Sequence, residues 1–345
     1  MCGLAGYSVG PKGLASRDRE DLVYALGLGI DDRGGHAAGH VTLTGHAKPQ
    51  IGRKLGYWQS ARDGFIRRAS SGHAAILHAR FATCGHRTID EVHPFTVERG
   101  GRAVLWGAHN GIIDNARESA KRHDRPYDVD SRELLELLAD GDLAAIQALN
   151  GYGVIAWCEA ATPGAVFVAR LSASSDLYVA ETTCGSIVWG STYSIVHDAC
   201  DMIGIEIKHS RTCDEIGRVY RIQDGEVYWT ERSGVHVAAR APALAYGFRR
   251  WESMWSEEDD EEAKRIELGM WTDDSSGDVT SDDVADEPSE TEEEDDAGDP
   301  FAVDDTFATE WAAKQWENER ASARREWEED VRRWKDAIGE RYDAE

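Results

Sequence analysis

The chain has 345 residues, enough for about two domains at ~150 residues each, and a net charge of −26 that is spread unevenly. Residues 1–250 hold 28 Lys+Arg against 29 Asp+Glu, whereas residues 251–345 hold 10 against 35. A nearly neutral body is thus followed by an acidic last quarter. This excludes a salt-adapted acidic surface and, with no basic face to neutralise phosphates, nucleic-acid binding.

No apolar run approaches the ~20 residues of a membrane span, so no membrane partner is expected. The opening MCGLAGYSVG lacks the basic-then-apolar pattern of a secretory signal. Six cysteines (2, 84, 158, 184, 200 and 213) are scattered without a C-x-x-C pair, which indicates neither a disulfide framework nor a zinc site. The chain reads as a soluble, cytoplasmic protein.

Residues 1–245 read as one mixed α/β domain. In chain order the strand candidates are Leu4–Val9, His40–Thr44, Ala74–His78, Val104–His109, Val154–Cys158, Ala165–Ala169, Ile187–Gly190, Val219–Ile222 and Val227–Thr230. The helix candidates are Arg19–Leu28, with Leu22 and Leu26 on one face, Ser131–Ala139, and Thr192–Cys200. Many strands and few long helices predict two stacked sheets with helices outside. Residues 246–304 contain acidic runs such as Glu257–Glu262 and Glu292–Asp296. Such a stretch buries too little apolar area to offset its ordering entropy, and it is expected to be a disordered linker. Residues 305–345 are predicted to form an amphipathic, Trp-rich helix. Trp327, Val331, Trp334 and Ile338 recur there at 4-3-4 spacing. That face suits either its own domain or a partner.

Cys2 follows Met1, and removal of Met1 is favoured when the second residue is small. A cysteine bearing a free α-amine, with a pKa of about 7.7–8.0, carries its own base beside its thiol. Taken alone, M-C-G is weak evidence, and the buried start of a strand is the better explanation of Cys2.

Five segments occur in order: Met1-Cys2-Gly3-Leu4-Ala5-Gly6, Arg33-Gly34-Gly35-His36-Ala37-Ala38-Gly39, His78-Ala79-Arg80-Phe81-Ala82-Thr83, His93-Pro94-Phe95, and His109-Asn110-Gly111-Ile112-Ile113-Asp114-Asn115. Over residues 2 to about 230 the chain resembles the class II glutamine amidotransferases, whose glutaminase domain is an N-terminal-nucleophile hydrolase. The resemblance implies an α+β fold, the four-layer αββα sandwich of those hydrolases. It also implies attack of the Cys2 thiolate on the side-chain amide of glutamine, release of ammonia, and a γ-glutamyl thioester for water. No cofactor and no metal is needed for this chemistry.

The resemblance distributes the roles. Asn110, by its side-chain amide, and Gly111, by its N–H, match the oxyanion donors, although a plain Asn-Gly turn between strands fits them too. Arg80 matches the arginine that forks onto the α-carboxylate, within a substrate-binding stretch that includes Phe81 and Thr83. Asp130 matches the acid that holds the α-ammonium, or serves only as an N-cap for its helix. Arg33 matches an arginine close to the nucleophile, or forms a structural ion pair. His93 joins the substrate-binding set. The family usually has His where this chain has Cys84, so the loop Cys84–Val92 is expected to close over glutamine with slightly different chemistry. Cys84 reads as a bystander. His36 and His40 lie four apart, which can signal a metal, but they match a strand of the family instead.

Residues 240–345 contain no Gly-rich phosphate loop, no cysteine cluster and too little apolar sequence for a synthase core. A stand-alone glutaminase-type domain with an acidic tail is therefore expected. Three readings follow. The first is a glutaminase that passes ammonia in trans to an acceptor synthetase docked through the tail. The second is an amidohydrolase of a γ-glutamyl amide. The third is a catalytically silent interaction protein, which the intact Cys2, Arg80, Asn110 and Gly111 disfavour.

Overall fold

The computed structural model describes residues 2–239, apart from 46–47, 62, 83–87, 126, 128 and 231. The acidic linker, the 305–345 helix, Thr83 and Cys84 lie outside the described residues. The chain runs β1 (Gly3–Ser8), α1 (Ser16–Asp31), β2 (Ala37–Leu43), β3 (Gln50–Leu55), α2 (Asp63–Ser70), β4 (Ala74–Arg80), β5 (Phe95–Arg99) and β6 (Arg102–Ile113). It continues through α3 (Ala116–Arg122), α4 (Asp130–Asp140), α5 (Leu143–Gln147), β7 (Asn150–Glu159), β8 (Val166–Arg170), β9 (Tyr178–Thr182) and β10 (Ile187–Gly190). It closes with α6 (Tyr193–Met202), β11 (Ile207–Thr212), β12 (Val219–Gln223), β13 (Glu226–Trp229) and β14 (Ala238–Ala239).

The strands form two sheets. One has the order β11-β9-β10-β1-β4-β2-β3, and all its pairs are antiparallel. The other runs β13-β12-β8-β7-β6-β5, with β14 added parallel to β7. Alternation along each strand sorts side chains to two faces. In β1, Ala5 and Tyr7 pack under α1, α2 and α6, while Leu4 faces the other sheet. In β6, Leu105 and Ile113 pack under the layer containing α4, while Trp106 and Ala108 face inward between the sheets. Three apolar clusters result, one between the sheets and one beneath each helical layer. This is the expected four-layer αββα sandwich. Because both faces of each central strand are buried, their sequences are nearly continuous apolar runs and stand out in the chain.

Candidate active site

The site forms where the starts and ends of three strands meet. Cys2 directly precedes β1, whose Gly3 lies opposite Ala79 of β4. Arg80 and Phe81 therefore emerge beside Cys2 as β4 ends. On the second sheet, β6 carries His109 and Gly111 on its helix-side face, toward the N-terminus of α4. Asn110 alternates to the inter-sheet face with Trp106 and Ala108. Arg99 of β5 fixes α4 against that sheet through Glu136 at 2.7 Å and through Asp140. Gly141, at φ 70°, ends the helix in the left-handed conformation.

A narrow cleft, about 10 Å³, is lined by Cys2, Arg80, Phe81, His93, His109, Gly111, Val129, Asp130 and Ser131. The Cys2 Sγ accepts a hydrogen bond from Phe81 N at 3.3 Å and lies 3.5 Å from Phe81 O. Burial pushes the Cys2 thiol up, against the Phe81 N–H that favours the thiolate.

Arg33 Nε donates to Cys2 O at 3.3 Å, so this arginine touches the main chain of Cys2. His36 stacks on Phe81 with ring centroids 4.5 Å apart, and its Nδ1 accepts from Ala82 N at 3.0 Å. The R-G-x-x-A-A-G segment thereby fixes the R-F-A-T segment. Gly39 is needed in that arrangement, because a Cβ there would lie 1.8 Å from His93 O. His40 contributes to packing, with Nδ1 2.9 Å from Thr42 Oγ1 and its ring edge-on to Phe65. Among the described residues, no group of three His, Cys, Asp or Glu is arranged to hold a metal.

Arg80 is 3% exposed and pairs with Glu91 at 3.4 Å. Asp130 is the first residue of α4, not its cap. Its Oδ2 accepts from Ile113 N at 2.8 Å and its Oδ1 from Ser131 N at 2.8 Å. The carboxylate thus ties the end of β6 to the start of the helix while facing the cleft. His93 is buried in the wall with neither ring nitrogen hydrogen-bonded, and its ring centroid lies 4.2 Å from that of His78. Burial holds both rings neutral, lowering His78 to about 3 and His93 well below the usual imidazole range.

The structure brings Cys2, Arg80, Phe81, His93, Gly111 and Asp130 into one cleft. Arg33 flanks it, and Asn110, 9% exposed, is not among the residues that line it. Sequence reasoning assigned no role to His109, Ser131 or His78. His109 Nδ1 is 3.1 Å from Ser131 Oγ and its Nε2 3.3 Å from Tyr152 O, while His78 Nε2 donates to His109 O at 3.2 Å. His109 stands within the His-Asn-Gly segment, so its position was visible. Its bond to Ser131, 22 residues away, was not.

Two stacked sheets, antiparallel but for β14, lie between helical layers, and a cysteine leads into a central strand of the first. No family model matches the chain. Over 242 residues it is 26% identical to glutamine–fructose-6-phosphate aminotransferase (isomerizing) of Mycolicibacterium smegmatis, covering 63% of this chain and 35% of that protein. Over 168 residues it is 36% identical to the same enzyme of Corynebacterium glutamicum, covering 44% and 26%. The solved structure of glutamine phosphoribosylpyrophosphate amidotransferase from B. subtilis is similar with a TM-score of 0.51 at 20% identity, covering 66% of this chain and 49% of that one. The chain spans about a third or less of the length of these curated relatives. Over the stretches that match, the chain is similar to glutamine-dependent aminotransferases and amidotransferases.

No described helix is long and apolar enough to cross a membrane.

Proposed function

We propose that this domain hydrolyses the side-chain amide of glutamine through a thioester on Cys2. The observation that carries the reading is the convergence of Cys2, Arg80, Gly111 and Asp130, distant in sequence, on one cleft. The mechanism requires Cys2 to be the mature first residue. Its α-amine, with an ordinary pKa of about 7.7–8.0, takes the proton that burial keeps on the thiol. The sulfur attacks the amide carbon. Gly111 N–H receives the oxyanion, and the Asn110 amide completes the pair from the inter-sheet face. The amine returns its proton to the leaving nitrogen, ammonia departs, and water cleaves the thioester to glutamate.

Arg80 forks onto the α-carboxylate and Asp130 accepts from the α-ammonium. Ammonia then passes in trans to an acceptor synthetase, with residues 246–304 as an acidic linker and 305–345 as a docking helix. The cytoplasm suits this chemistry, since Cys2, Cys158, Cys184, Cys200 and Cys213 are all free thiols.

The test is mass spectrometry of the N-terminus combined with glutamate release from glutamine. Active protein begins at Cys2, and Cys2→Ala loses activity by several orders of magnitude. An active preparation that retains a residue before Cys2 overturns the mechanism. Removal of residues 246–345 leaves basal hydrolysis intact and abolishes only stimulation by the acceptor enzyme.

A further inference from the structure

A second cavity, about 370 Å³, adjoins the catalytic cleft and shares Val129 and Asp130 with it. Its size is that of a small-ligand site, which typically spans ~300–1,000 Å³. Its floor is apolar, formed by Ile113, Ala116, Ala120 and Val129, all buried. Glu133 also lines it and is 1% exposed. The Oε1 of Glu133 is engaged, accepting from Ser119 Oγ at 2.7 Å and lying 2.8 Å from His123 Nδ1. Its Oε2 is buried without a hydrogen-bond partner. A buried carboxylate oxygen with no donor is costly, and in a cavity wall it marks the place of a ligand donor.

The position of this cavity decides which end of a substrate it serves. It lies beyond Asp130, the residue that receives the α-nitrogen of glutamine, and so on the side away from the scissile amide. Asp130 and Glu133 are three apart on α4, which places their Cβ atoms about 5–6 Å apart on one face. Successive nitrogens of an extended peptide are separated by one residue, at most about 3.6 Å. Carboxylates so spaced match the two nitrogens of one peptide residue, each within a hydrogen bond.

We propose that this cavity is a subsite for a residue joined to the α-nitrogen of glutamine, so that the preferred substrate is a short peptide ending in glutamine, such as a dipeptide X-Gln. This rests on the glutaminase reading above and names its substrate class. Arg80 holds the C-terminal carboxylate. Asp130 accepts from the peptide N–H, the small apolar side chain of X rests on Ala116 and Ala120, and the N-terminal ammonium bonds Glu133 Oε2. The chemistry is otherwise unchanged. The Cys2 sulfur bonds the side-chain carbonyl carbon, the bond from that carbon to nitrogen breaks, ammonia leaves with the proton from the α-amine, and water releases X-Glu.

The experiment measures ammonia release by the full chain from L-glutamine, L-alanyl-L-glutamine and N-acetyl-L-glutamine, with Cys2→Ala as the blank. The expected kcat/KM for alanyl-glutamine is at least tenfold that for glutamine. Ala116→Leu and Ala120→Leu, each filling the cavity, bring alanyl-glutamine down to the level of glutamine and leave glutamine within twofold of the parent. Glu133→Gln lowers kcat/KM for alanyl-glutamine and spares N-acetyl-glutamine, which has no ammonium. A parent protein that prefers free glutamine overturns the proposal without needing any variant, as do filled variants that slow both substrates equally. If protein confirmed to begin at Cys2 releases ammonia from none of the three, the glutaminase reading falls and this proposal with it.

Discussion

Replacing Gly111 with alanine tests both the packing of the site and the role of its backbone. A Cβ at this position would lie 2.0 Å from Tyr152 O, 2.5 Å from Gly153 Cα and 2.5 Å from His109 Nε2. Real contacts of this kind stay beyond 3.0 Å, so β6 and β7 must separate locally by about 1 Å. The nearest two atoms are main chain in a paired strand, which cannot rotate aside as a side-chain end does. The penalty therefore belongs at the upper end of overpacking, about 3 kcal/mol. For a domain of this size that lowers Tm by roughly 6–12 °C, at ~2–4 °C per kcal/mol. A shift of about 1 Å in an oxyanion donor costs a further ~10²–10³ in kcat. Gly107→Ala is the control. It is on the same face of the same strand, but its closest clash is the mobile Leu135 Cδ2 at 2.5 Å, with Ala156 O at 3.0 Å. It should lower Tm by a few degrees and leave kcat within twofold. Calorimetry and glutamate release measure both quantities. A Gly111→Ala protein with parental Tm refutes the packing argument, and one with lowered Tm but parental kcat removes Gly111 from the oxyanion site.

A glutamine-like electrophile should label Cys2 and spare Cys200 and Cys213, whose thiols burial holds near 12; labelling at those positions in native protein contradicts the assignment. Arg80→Lys should raise KM for glutamine at least tenfold, because a point charge does not reproduce a planar fork. Asp130→Asn should raise KM more than it lowers kcat, since the α-nitrogen is remote from the reacting carbon; parental KM in both variants removes the head-group assignment. His40 and His78 are buried neutral with values lowered to about 3, so the unfolded chain, with histidines near 6.5, binds more protons below that pH. Their stability contribution is complete above about 6.5 and is lost as pH falls toward 3. Tm should therefore decline over that window, and a flat profile contradicts the burial of these rings.

The central strands were legible because each is buried on both faces. Ile187–Gly190 matched residue for residue, the expected Leu4–Val9 is displaced by one residue at each end, and Val219–Ile222 extends by one at its C-terminal end. The strands that sequence reasoning missed are of a different kind. β3 (QIGRKL), mostly half-buried, and β11 (IKHSRT), largely exposed, are sheet edges that carry Lys and Arg, so they show neither an apolar run nor a clean alternation. β5 follows Pro94 and reads as loop, and β9 (YVAET) is a short stretch that is strand only because β10 and β11 pair with it. The helices α2, α3 and α5 span eight, seven and five residues, too short for a periodicity to declare itself. Within the site, residues inside ordered motifs were visible. Long-range partners were not, because nothing local in the sequence links Arg80 with Glu91 or Ser119 with Glu133.

The pairing of Arg80 with Glu91 makes substrate capture an exchange. A guanidinium waiting alone in a buried wall would gain strongly from any anion that reached it. Here Glu91 already faces Arg80, so if Arg80 holds the substrate carboxylate as proposed, that carboxylate competes with one of the same charge. The Coulombic profit of the swap is small, so affinity has to come from what an intruding acetate or chloride lacks: an α-nitrogen for Asp130 and a side chain long enough to reach Cys2. On that reading Glu91 would act as a tethered competitor at high local concentration, disfavouring simple anions against a ligand that engages several positions at once. Glu91 ends the Ile89–Glu91 turn, which Arg132 also holds by donating to Asp90 O at 2.6 Å, so the competitor is anchored to α4 as well as to Arg80.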